Sequence, residues 1–63
     1  MVVDELLEYV SSYEWVWVGY GNRQVFYGWA KHVPESVRDL MVAVVRGDED
    51  IPGVLDIYVK EEI

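Results

Sequence analysis

The sequence predicts a small α+β fold: a four-stranded antiparallel sheet built in the order α-β-β-α-β-β, with the helices on one face. Three observations lead there. An apolar stripe at helical spacing opens the chain at Val3, Leu6, Leu7 and Val10. Two runs rich in aromatic and β-branched residues, EWVWVGY and QVFYGWA, are separated by only a few residues. A last run, VLDIYVK, alternates apolar and polar side chains as a half-buried strand does.

Taken in order, the first stripe gives a helix that ends near Ser11 and Ser12, with Asp4 as N-cap and Asp4, Glu5 and Glu8 near the positive end of its dipole. Residues 14–20 read as a strand. Gly19, Gly21 and Asn22 supply turn chemistry, and residues 24–30 form the second arm of a hairpin. Gly28 within that arm predicts a bulge or a close backbone approach. Pro34 followed by Glu35 opens a short helix to about Leu40, with Val37, Leu40 and Met41 toward the core. Residues 41–46 read as a third strand. Gly47-Asp48-Glu49-Asp50 is a polar loop, Pro52-Gly53 a turn, and residues 54–60 the fourth strand. The final three residues are expected to fray.

Two helices on one face leave the other face of the sheet uncovered. Strand alternation then separates two sets of side chains. Val16, Val18, Phe26, Ala30, Leu55, Ile57 and Val59 form the layer against the helices, where small β-branched residues fit. Trp15, Trp17, Tyr27, Trp29 and Tyr58 fall together on the open face. Trp and Tyr are enriched in interface hot spots, so these five are the candidate partner-binding residues. The competing reading makes some of them core.

A chain of 63 residues makes a single domain, 1–63. At this size only about 60% of the unfolded surface is buried, so stability needs dense packing, a staple or a partner. The chain has no cysteine and one histidine, which excludes disulfides and thiolate metal sites. No metal and no cofactor is expected. Twelve acids against five Lys and Arg give a net charge of −7. The five cations are scattered singly, so direct nucleic-acid binding and attraction to an anionic membrane are not expected, whereas a basic protein partner is compatible. The N-terminal residues lack the pattern of a signal peptide, and the longest apolar run, 40–45, is too short to span a bilayer. A cytoplasmic location is expected.

No catalytic constellation stands out. His32 has no nucleophile or carboxylate at diagnostic spacing and reads as a surface residue before a helix. Asp48, Glu49 and Asp50 lack the twelve-residue frame of an EF-hand and read as a solvated loop. Gly19-Tyr20-Gly21 is a turn, since no helix follows it as a phosphate loop requires.

The helix DELLEYVS, the segment VFYGWAKHVPESV and the terminal DEDIPGVLDIYVKEE together resemble short phage and prophage proteins of Firmicutes. In these an aromatic-Gly-x-Ala segment runs into a proline turn and an apolar strand closes the chain. The resemblance implies a mobile-element origin and an accessory or anti-defence role, and carries no site residues. This chain departs from the pattern in its richness in tryptophan around the first hairpin. The expected function is therefore non-catalytic binding of a protein partner, with inhibition of a host defence as one form. A structural or regulatory homo-oligomer and a small-ligand sponge are the alternatives.

Overall fold

Glycines at positive φ set the turn of each hairpin. β1 (Trp15–Tyr20) and β2 (Arg23–Trp29) are joined by Gly21 and Asn22 alone. Gly21 has φ +55°, the left-handed first position of a type II′ turn, whose twist matches that of paired strands. β3 (Val42–Gly47) and β4 (Val54–Val59) are joined through Pro52 and Gly53, with Gly53 at φ +86° and the Val54 N–H donating to the Ile51 carbonyl at 3.4 Å. This is the Pro-Gly arrangement of a type II turn. The computed structural model describes residues 1–60; the fraying expected of residues 61–63 lies outside the described residues.

The two hairpins lie side by side in the order β2-β1-β4-β3. Each hairpin is antiparallel, but the seam between them, β1 beside β4, is parallel. The sheet is therefore mixed, which corrects the antiparallel expectation. The cause is the connection from β2 to β3. Residues 30–41, holding a 3-10 turn (Ala30–His32) and α2 (Glu35–Arg38), carry the chain back so that β3 starts at the end where β2 began. Such a return takes a crossover of about a dozen residues. Parallel strands are usually shielded on both faces and read as near-continuous apolar runs. Trp15-Val16-Trp17-Val18 is such a run.

One face of the sheet carries the core. Val3 and Leu7 from α1 (Val3–Leu7), Val37 from α2, and Ala30 and Val33 from the crossover pack on Val16, Val18, Ile57 and Val59. Val3, Val16, Val18 and Ile57 have no solvent exposure. Phe26 and Leu55 pack against this cluster, so every side chain expected against the helices is found there.

Several local expectations are corrected. α1 ends at Leu7 rather than near Ser12, because Glu8, Tyr9 and Val10 donate to carbonyls three residues back at 3.3, 3.0 and 3.2 Å. Those tighter bonds are the sign of a helix unwinding into turns. The N-cap is Val2, two residues before the Asp4 expected in that role, and its N–H donates to the Glu5 carboxylate at 2.9 Å. Asp4 pairs instead with Arg38 of α2 at 2.8 Å. Pro34 is an N-cap rather than the first helical residue. Met41 is exposed, not core, because its backbone serves the sheet margin: it bridges to Val2, and its carbonyl accepts from the Lys60 N–H at 2.9 Å. β2 has no bulge at Gly28, which lies opposite Val16. The irregularity falls near Gly19, where Val25 is the additional residue on β2.

Candidate functional site

The register sets the open face row by row. Trp15 pairs with Trp29 across β1 and β2 and lies beside Val54 of β4. In the next row Tyr27, Trp17, Asp56 and Arg46 cross all four strands. In the third, Gly19 lies beside Tyr58, and Tyr58 is opposite Val44. All five aromatic residues picked from alternation, Trp15, Trp17, Tyr27, Trp29 and Tyr58, thus share the face without a helix.

These side chains are packed on one another. The Trp15 ring lies 4.7 Å from that of Trp29 at 30° and 5.5 Å from that of Tyr27 at 31°. Tyr13 adds an edge contact to Trp29 at 6.0 Å. Trp17 meets Tyr58 at 5.1 Å, and its indole N–H donates to the Gln24 side-chain carbonyl at 3.1 Å. Aromatic pairs in such tilted geometry are worth about 1 kcal/mol beyond the area they bury. Trp17, Trp29 and Tyr58 are half-buried as a result, while Trp15 keeps 39% and Tyr27 44% of its surface exposed. Of the five, Trp15 and Tyr27 are the most accessible rings of a stacked layer.

Gly19 makes room for that layer. A Cβ at this position would collide with the Arg23 carbonyl and lie 2.5–2.8 Å from the Trp17 indole. Glycine here is a packing requirement of the aromatic face, which is the close approach that sequence reasoning assigned to Gly28.

Two polar residues of this face escaped the sequence reading. Asp56, on the same strand face as Tyr58, is only 6% exposed. Trp17 and Arg46 flank it in its row, and among the described residues its Oδ1 has no hydrogen-bond partner. Burial raises its carboxyl above the ordinary value of 3.8, with the charge and hydrogen bond of Asp48 adding to the effect and Arg46 opposing it. Asp48 goes the other way. Its carboxylate accepts from the backbone N–H groups of Ile51 and Asp50, both at 2.8 Å, which holds it below 3.8. Of the two, Asp48 ionises at lower pH than Asp56. Arg46 does not close on Asp56. It donates to the Tyr58 hydroxyl at 2.9 Å and lies 5.0 Å from that ring's centroid. The available signals were a lone acid within the central apolar strand and an arginine on the strand next to it.

A shallow depression of about 430 Å³ opens beside this pair, lined by Gly21, Asn22, Val44, Arg46 and Tyr58. A smaller one, about 200 Å³, lies around the Asp4–Arg38 ion pair. His32 is exposed on the 3-10 turn and lines neither. Among the described residues no group of His, Asp or Glu gathers as a metal-binding set, and no helix is long and apolar enough to cross a membrane.

Fold and face together define a small α+β domain: a mixed four-stranded sheet with two short helices on one side and a stacked aromatic layer on the other. Compared with family models, curated proteins and solved structures, the chain finds no match.

Proposed function

We propose that this protein is a non-catalytic binding module that engages a protein partner through its open sheet face. The observation that carries the reading is the gathering of Trp15, Trp17, Tyr27, Trp29 and Tyr58, from three strands, onto the face that no helix covers. Trp and Tyr offer large contact areas with few rotatable bonds, and they dominate binding hot spots. The resemblance to phage and prophage proteins makes a host protein the expected target and inhibition of a host defence the corresponding role. Affinity capture from host lysate tests this with the native chain and with Trp17→Ala and Trp29→Ala, each checked for fold by circular dichroism. A partner held by the native chain and lost from both folded variants supports the reading. A partner held equally by all three overturns it.

A second reading, a structural or regulatory homo-oligomer, draws on the outer strand β3. Val44 and Val45 there are 53% and 39% exposed, and an outer strand offers unpaired backbone groups to another chain. Sedimentation at micromolar concentration separates the two readings, since a monomer excludes this one.

A further inference from the structure

From charge and ring placement together, we infer that the occupant of the open face is a cationic segment of a partner polypeptide, seated with an Arg or Lys side chain over the Trp15–Tyr27 rings. The inference rests on the binding-module reading and names the chemistry of its partner.

The molecule already places its own cations over its rings. Lys31 Nζ lies 4.4 Å above Tyr13, the Arg46 guanidinium 5.0 Å from Tyr58, and that of Arg23 5.9 Å from Tyr20. Arg38 is engaged by Asp4. Among the described residues, four of the five Lys and Arg side chains are thus committed, and none lies over Trp15, Tyr27 or Trp29. A ring face attracts a cation through its quadrupole, most strongly for Trp and where water is excluded. Trp15 and Tyr27 are the most exposed of the five aromatic residues on the open face, so exposed rings without a cation are there for a partner to reach.

The charge of the whole molecule has the matching sign. The Tyr27 row continues through Trp17 to Asp56, the buried carboxyl with an unpartnered oxygen. One strand spacing, about 4.8 Å, separates each step along that row. The chain as a whole carries −7, which draws a basic partner in and repels an acidic one. A second copy fits less well. Pairing two open faces would join two chains of −7, whereas a basic segment lowers the net charge of the complex.

The test titrates the full chain with three short synthetic peptides, of alternating Arg and Leu, Gln and Leu, or Glu and Leu, following tryptophan fluorescence and heat. The Arg-Leu peptide is expected to bind about tenfold more tightly than the Gln-Leu peptide, with the gap narrowing at high salt. The Glu-Leu peptide should bind weakest. Trp15→Leu keeps apolar bulk but removes the ring, and is expected to abolish the preference for Arg while far-UV circular dichroism stays native. Tyr27→Leu, on the outer strand, does the same should Trp15→Leu unfold. Equal binding of the Arg and Gln peptides overturns the cationic occupant and leaves the binding-module reading intact. Arg-Leu binding that survives both ring variants also overturns it, as general attraction to an acidic surface. So does a stable dimer that the Arg-Leu peptide does not displace, which assigns the face to a second copy. Failure of the binding-module reading shows separately, in the lysate comparison of Trp17→Ala and Trp29→Ala.

Discussion

The two faces of this sheet are made from the same strands but differ in what they are made of. On the helix side, Val16, Val18 and Ile57 are wholly excluded from solvent by α1, α2 and the crossover. On the open side, Trp15 and Tyr27 are much larger, yet they keep 39% and 44% of their surface in water. Burial removes apolar area from water at about 25 cal/mol per Å², so the smaller side chains on the covered side hold the fold more strongly per atom. The open side keeps apolar area in reserve, which only a contact with another molecule can remove from water.

Breaking the covered side should have the largest effect. Ile57→Ala leaves a cavity under both helices and is expected to lose about 3 kcal/mol in urea denaturation. A domain of this size has little margin beyond that. Next comes Gly19→Ala, the position where the open layer presses on the backbone. The added methyl meets the Arg23 carbonyl and the Trp17 ring, and the expected cost is about 2 kcal/mol. A loss below a few tenths would mean that Trp17 swings away freely and the layer is not packed.

The coupling within the layer is smaller. A double-mutant cycle on Trp15 and Trp29, whose rings are 4.7 Å apart, should return about 1 kcal/mol of interaction energy. A coupling near zero would reduce the stack to coincidence.

Asp56→Asn probes the one polar flaw of the open side. The Asp56 carboxyl is raised in the folded protein, so folding favours its protonated form. That contribution is present at acid pH and is lost as pH rises from 3.8 toward the folded value. Asp48, lowered in the fold, contributes above 3.8 and loses its contribution as pH falls. The Asn variant keeps the shape without the charge. Thermal unfolding should show it more stable than the native chain at pH 7, with the difference shrinking toward pH 4. An equal gain at both values would assign the effect to packing rather than ionisation.

How far these features were legible depends on the range of the interaction that decides them. Alternation within one strand is local. It placed Leu55, Ile57 and Val59 opposite Tyr58, and Val16 and Val18 opposite Trp15 and Trp17. Tight turns at Gly21-Asn22 and Pro52-Gly53 are equally local. The parallel seam was not legible, because its direction depends on how residues 30–41 return across the helix side. Trp15-Val16-Trp17-Val18 carried a trace of it, in apolar residues on both faces of one strand. The burial of Asp56 was illegible for a related reason: alternation gives the face of a side chain, while burial depends on large neighbours from other strands. The helix stripe at Val3, Leu6, Leu7 and Val10 misled on length, since Val10 stays half-buried even though the helix has already ended at Leu7.

The division of labour between the faces is tested most directly by urea denaturation of Ile57→Ala beside Trp15→Ala. The account predicts that the Trp15 variant remains folded in water and loses about half as much stability as the Ile57 variant, although it gives up far more atoms. A Trp15 variant that loses as much as Ile57→Ala, or is unfolded without denaturant, would place the open aromatic layer in the core and contradict the account.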